Sequence, residues 1–208
     1  MIEIKADEMA LQKISQEIGN LPYKAPTILK DVANATGKKA LEQLRTEIRR
    51  QYVFKDSAIN LQESLRRKSA SYANPRTIID ASGSMTSLSD YYVTPRRLSR
   101  GANRVGPYAS HVLRSSAPDT LNERTFMVKF KSGHIAVVER IPGKRYSDAN
   151  AQKRIAAHLD TSKIEEKRSP SVAHMANRSF REIEEDVSIQ LQNNMKKYID
   201  RFMKRSKA

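Results

Sequence analysis

The stretch 124–141 constrains the fold most. Phe126, Val128 and Phe130 alternate with Met127 and Lys129, which is the period of a β-strand. Lys131-Ser132-Gly133-His134 has the composition of a turn, and Ile135 to Val138 is a second β-branched run ending on Glu139-Arg140. Strands joined by so short a loop must run antiparallel, so the segment predicts a hairpin with one apolar face.

Two long amphipathic patterns lie on either side of it. Leu29, Val32/Ala33, Thr36, Ala40/Leu41, Leu44, Ile48 and Tyr52 share one stripe of a helix that opens near Pro26, a residue suited to a first turn. Gly37 interrupts the stripe, and Lys38, Lys39, Arg45, Arg49 and Arg50 occupy other faces. A helix of about 25 residues is roughly 37 Å long. A small sheet does not cover that length, so the pattern predicts a packing partner, another subunit being one source. At the other end, Ser169-Pro170-Ser171 reads as a helix start with Val172, Met175 and Ala176 inward. Phe180, Ile183, Val187, Leu191, Met195, Tyr198 and Phe202 continue at helical spacing. Glu182, Glu184, Glu185 and Asp186 come early in this helix and Lys196, Lys197, Arg201, Lys204 and Arg205 late, as the macrodipole favours.

The rest of the chain is less regular. Ile2 and Ile4 suit a short strand or a lead into a helix. Asp7, Leu11, Ile14, Ile18 and Leu21 then step as a helix capped by Asp7, which makes 1–24 an N-terminal helical extension. Asp56 is placed to cap a shorter helix with Ile59, Leu61 and Leu65 as its apolar residues and Arg66, Arg67 and Lys68 closing it. Strands are expected over 77–82 and 108–113, the second with Ala109, His111 and Leu113 on one side. Pro142-Gly143 is expected to end the hairpin, and Ile155 to Leu159 to form a helical turn. Between 83 and 107 the periodicity fails. Ser, Gly, Asn and Arg dominate, and Arg96, Arg97, Arg100 and Arg104 follow the last acid of the segment, Asp90. This reads as a flexible basic loop. The sum is an α+β fold: a small, mostly antiparallel sheet of about four strands, long N- and C-terminal helices, long basic loops, and a single domain over 25–208.

Composition limits the function classes. Lys and Arg total 38 against 23 Asp and Glu, a net charge of +15, which favours nucleic acid, membrane surfaces or acidic proteins as partners. An apolar fraction of 38% and a mean hydropathy of −0.66 predict a modest core. With no cysteine, disulfides, thiolate metal sites and cysteine nucleophiles are excluded. No apolar run is long enough for a transmembrane helix, and the acidic opening residues do not make a signal peptide, so no membrane partner is expected.

Chemistry-bearing patterns are sparse. No two of His111, His134, His158 and His174 stand at i, i+3 or i, i+4, so no helical metal pair forms. His111 and His134 could meet only across strands. Asp80, Glu139 and Lys129 lie in or beside expected strands, the minimum for metal-dependent phosphodiester cleavage. Nucleophile-elbow, Walker and dinucleotide patterns are absent. The reading is a protein without catalytic, cofactor or metal residues. Arg96, Arg97, Arg100 and Arg104 are its best candidates for contact with a partner protein or DNA, since guanidinium groups suit carboxylates and phosphates alike.

An ordered set of segments resembles the phage minor tail protein Z family. The set comprises a helix rich in alanine and basic residues (Ala33 to Tyr52), the junction Gln51-Tyr52-Val53-Phe54-Lys55-Asp56 followed by a short helix and a strand, and a basic variable loop. After these come the pair Thr125-Phe126-Met127-Val128 and Gly133 to Arg140, then Pro170-Ser171-Val172 opening a C-terminal helix. The order holds over roughly 25–205. Ser169 stands where a glycine is commoner in that family. The resemblance implies a structural protein, not an enzyme, that completes the head-proximal end of a long phage tail. It further implies a self-assembled ring, sixfold, beside the tail terminator, tail tube and head-connector proteins in the virion, with Pro170, Ser171 and Val172 among the interaction residues and genomic DNA as a further contact. Two other readings remain from the residues alone: a sequence-nonspecific nucleic-acid-binding protein, which needs the charge clustered on one face, and a metal nuclease using Asp80 and Glu139.

Overall fold

The computed structural model of the protein describes residues 2–5, 25–98, 105–157 and 161–207. The expected helix over Asp7 to Leu21 lies outside the described residues. Where the sequence suggests one domain over 25–208, the chain forms two compact units: Met1–Gln51, Asn60–Ser84 and Pro170–Ala208 in the first, Tyr52–Ile59 and Met85–Ser169 in the second.

The first unit is built on two long helices, α1 (Ala25–Gln51) and a C-terminal helix (Val172–Lys207). The stripe read from the sequence is the buried face of α1, with Val32, Ala40, Leu44 and Ile48 fully enclosed. The packing partner expected from its length is in the same chain, so the other source considered, a second subunit, is not required. Ala25, Ile28, Leu29 and Val32 pack with Ile199, flanked by Leu191, Met195, Tyr198, Phe202 and Met203. Asn194 donates through Nδ2 to Thr36 Oγ1 at 3.0 Å, and Ser179 Oγ to Gln51 Oε1 at 3.3 Å, so the two helices run antiparallel. Each enclosed Leu or Ile contributes about 1.5–3 kcal/mol by leaving water. Gly37 is explained by the same packing. A Cβ there would lie 2.2 Å from Thr77 Cγ2, so glycine lets α1 lie close against the sheet.

That sheet has the order β1-β3-β2 (Ile2–Lys5, Arg76–Ala81, Leu65–Lys68) and is antiparallel throughout, with Ile2 and Arg67 both opposite Ile79. Thr77 and Ile79 alternate inward. Asn34 of α1 holds the segment after β2. Its Oδ1 accepts from Arg67 and from the Ala70 amide at 2.9 Å each, and its Nδ2 donates to the Ala70 carbonyl. The helix expected from Asp56 is only α2 (Leu61–Ser64), capped by Asn60, whose Oδ1 accepts from the amides of Gln62 and Glu63. Arg66, Arg67 and Lys68 belong to β2 instead. Pairing with β3 outweighs local helix preference there, and Lys68 reaches Asp80 at 2.5 Å across the sheet.

The second unit is a set of short antiparallel strands. β4 (Thr86–Ser87), a 3₁₀ turn (Leu88–Asp90) and β5 (Tyr92–Thr94) occupy part of the segment expected to be loop; residues 99–104 lie outside the described residues. β5 pairs with β6 (Ala109–His111), which pairs with β7 (Asp119–Thr120). On β6 it is Ser110 that is buried, the reverse of the expected Ala109 and His111 face. The hairpin forms as β8 (Thr125–Lys129) and β9 (Ile135–Arg145), with Thr125 opposite Glu139 and Lys129 opposite Ile135. Its inward side is Thr125 and Met127, whereas Phe126 and Val128 are half-buried and Phe130 is exposed. Met127 sits directly opposite Val137, and the two join Leu88, Val93 and Tyr108 in the core of this unit; that core, not the number of aromatic residues, selects the face. The Arg140 guanidinium lies over the Phe126 ring on the other side.

Pro142-Gly143 does not end β9. The strand runs past it and pairs with β10 (Ser162–Glu166), and a register break lies between the pairs Ile164–Arg140 and Ser162–Arg145. Gly143, at φ +71°, falls in the stretch that the break absorbs. α3 (Asp148–Ala156) starts earlier than the expected turn, and β11 (Arg168–Ser169) pairs with β4. The C-terminal helix, α4 (Val172–Lys207), then returns to the first unit. The α+β class and the antiparallel pairing agree with the sequence; among the described residues the strands are spread over four small sheets.

Candidate functional site

A cleft of about 540 Å³ opens in the second unit between the 3₁₀ turn, β5 and the tip of the β8–β9 hairpin. The turn is fixed from two directions. Ser87 Oγ accepts from the Ser89 amide at its N-cap, and Ser89 Oγ donates to the Ile135 carbonyl at 2.8 Å, tying the turn to the start of β9. Lys55 is held against the same turn. Its amide donates to the Asp90 carbonyl at 2.9 Å, and its Nζ donates to the Ser89 carbonyl at 2.6 Å. Tyr91 is fully enclosed, with its hydroxyl 3.0 Å from Thr86 Oγ1, and burial pushes its pKa up.

Leu98 and Ile135 give the cleft its open apolar surface, above the buried Tyr91, Val93 and Met127. Lys55, Arg96 and His134 supply basic groups, and Asp90 is the one carboxylate among the described lining residues. Burial raises the Asp90 pKa above the usual range, against the Ser87 backbone hydrogen bond and the charges of Lys55 and His134, which pull it down. Arg96 is exposed, with its guanidinium 4.8 Å from the centre of the Tyr92 ring. The His134 ring is stacked on Phe130, 8° from parallel, and its Nε2 is 3.2 Å from Glu166 Oε1. For Glu166 burial acts upward, but hydrogen bonds from Ser87 and His134 and the charges of His134 and Arg168 prevail and leave its pKa lowered. The arrangement presents positive charge and hydrogen-bond donors above an apolar surface.

The residues singled out in the sequence are only partly gathered here. Arg96 lines the cleft. Arg97 is exposed, and its carbonyl accepts from the Tyr108 hydroxyl at 2.6 Å. Arg100 and Arg104 lie outside the described residues. Pro170, Ser171 and Val172 belong to the first unit and serve the start of α4. Ser171 Oγ accepts from the His174 amide at 3.2 Å, its carbonyl accepts from Met175, and Val172 is buried. His111 is on β6, whereas His134 lies in the turn between β8 and β9, which belong to another sheet. Asp80 is in the first unit and paired with Lys68; Glu139 is in the second and bound by Lys167 and Asn122. The Lys167 bond comes first among the causes that lower the Glu139 pKa. No group of three or more metal-ligating side chains forms among the described residues.

Lys55, Ser89, Asp90 and His134 were not grouped from the sequence. The only signals were that Asp90 is the last acid before the arginine run and that His134 sits in the hairpin turn. No protein-family model, curated protein or solved structure matches the chain. No helix among the described residues is long and apolar enough to cross a membrane.

Proposed function

We propose that this chain is a structural virion protein that completes the head-proximal end of a phage tail and acts in tail assembly or head–tail joining. One observation carries the reading: the segments that resemble the minor tail protein Z family keep that family's order along the chain. They fall on α1, the residues 51–56 that follow it, the β8–β9 hairpin and the capped start of α4. In this reading the protein forms a ring, sixfold, in contact with the tail terminator, the tail tube and the head connector. Arg96, Arg97, Arg100 and Arg104 meet neighbouring acidic protein or DNA. The test replaces those four arginines with alanine in the encoding phage. Folding of the purified protein is expected to persist, since Arg96 and Arg97 are exposed, while joined particles and plaque yield fall. Normal plaque yield from the variant removes the arginines from the mechanism, and infectious particles assembled without the protein end the reading.

A second reading, sequence-nonspecific nucleic-acid binding, is favoured by the end of α4. There Lys196, Lys197, Arg201 and Lys204 line one shallow surface with Asn193 and Asp200. Gel shifts across a salt series decide it, because neutralised phosphates give a steep salt slope; no shift at low salt discards it.

A further inference from the structure

We infer that the cleft of the second unit is a receptor for an acidic peptide segment carrying a large apolar side chain, presented by a partner protein. This goes beyond the proposed function and holds whether or not the chain belongs to a tail. The floor fixes the first half of the chemistry. Leu98 and Ile135 offer aliphatic surface above the buried Val93 and Met127, and Ile135 is 41% exposed although it opens a strand whose next three residues are buried. An exposed isoleucine beside a cavity leaves apolar area in water that an inserted side chain would cover. The rim fixes the second half. Lys55 uses one N–H on the Ser89 carbonyl and lines the opening with its other donors, Arg96 is held by the Tyr92 ring, and His134, propped on Phe130, faces Glu166.

His134 is met by Glu166 at 3.2 Å, so Lys55 and Arg96 are the cations that stand against the Asp90 carboxylate, and together they select an anion. A nucleic-acid strand fits less well. Base binding needs open aromatic faces, and the Tyr92 and Phe130 rings each already carry Arg96 or His134 on one face, while the floor is mostly aliphatic. The volume suits a few residues of extended chain, not a folded domain.

The test is selection of a displayed random heptapeptide library on the full-length protein, followed by methyl NMR of the protein with the synthesised winning peptides. Enriched sequences are expected to place Asp or Glu beside Leu, Ile, Met or Phe. Their binding is expected to shift the resonances of Val93, Leu98, Met127 and Ile135. Arg96→Glu and Ile135→Asp should each weaken binding about tenfold or more, the cost of one charge-assisted contact or one apolar anchor. Both residues are exposed, and unchanged spectra away from the cleft establish that the variants remain folded. No enrichment, enriched peptides lacking acids, or binding indifferent to both substitutions overturns the inference. An oligothymidylate that shifts the same resonances at lower concentration than the peptides overturns it in favour of nucleic acid.

Discussion

Gly37→Ala should destabilise the first unit, against the ordinary expectation for a helix interior. Replacing a mid-helix glycine with alanine normally gains about 0.8–1 kcal/mol. Here the new Cβ would lie 2.2 Å from Thr77 Cγ2 and 2.9 Å from Thr77 Cβ. Thr77 is fully buried on the central strand of its sheet, and a β-branched side chain has few rotamers in which to retreat. Overpacking of this kind costs about 1–3 kcal/mol. A separation so far inside van der Waals contact belongs at the upper end, so the net loss is roughly 2 kcal/mol after the helix gain. Thr77→Ser removes the offending methyl and alone should cost about 1 kcal/mol. The double variant should then lie near the Thr77→Ser value instead of the sum of the two, a favourable coupling of about 2 kcal/mol. Urea unfolding followed by helical circular dichroism suits the question, because α1 and α4 both belong to the first unit and dominate the signal. If Gly37→Ala raises stability by its helix propensity, or if the two substitutions add, then α1 is not held against β3 as described.

Two further substitutions probe the same unit. Ser171→Ala removes the side chain that caps the His174 amide and should lower the unfolding midpoint by an amount equivalent to about 1 kcal/mol, with Ser171→Asp retaining most of it; equal stability of all three would deny the cap. Glu47 is 8% exposed and accepts two hydrogen bonds from Arg50 and one from Gln51, all at 2.7 Å. The Arg50 bond is the main cause of its lowered pKa. A carboxyl depressed in the folded state contributes stability that is present above its unfolded pKa and is lost as pH falls through the folded value. Urea midpoints measured from neutral to acid pH should therefore fall less steeply for Glu47→Gln than for the parent, and parallel curves would contradict the assignment.

How legible the fold was depends on how local its causes are. The faces of α1 and α4 could be read because helical periodicity repeats over many turns, and the apolar stripes in the sequence are the buried faces in the structure. The hairpin pairing was legible because a short turn allows only one strand direction. Its face was not, since Met127 turns inward to meet Leu88, Val93 and Tyr108, residues distant in sequence. The strand Leu65–Lys68 was hidden for the same reason: its basic composition reads as a helix end, and only pairing with β3 makes it a strand. The cleft was the least legible feature. Lys55, Asp90, Arg96 and His134 come from three separate stretches of chain, and neither spacing nor composition brings them together.

Intrachain pairing of the long helices changes what any assembly must rely on. With Ile28, Leu29, Val32 and Ile199 enclosed between α1 and α4, little of the helices' apolar stripe is left for a neighbour. What α4 turns to solvent is mostly charge: Glu182, Glu184, Glu185 and Asp186 in its first half and Lys196, Lys197, Arg201, Lys204 and Arg205 in its second, with Ile189 as an isolated apolar exception at 49% exposure. A partner docking on that face gains Coulombic attraction between exposed groups, which is screened over about 8 Å at physiological ionic strength. Contacts made there should weaken with added salt. Contacts made through the cleft should weaken less under the same conditions, because covering Ile135 depends on its removal from water and only the rim contacts of Lys55 and Arg96 are screened. A salt titration of any complex this protein forms thus distinguishes which of the two surfaces holds it.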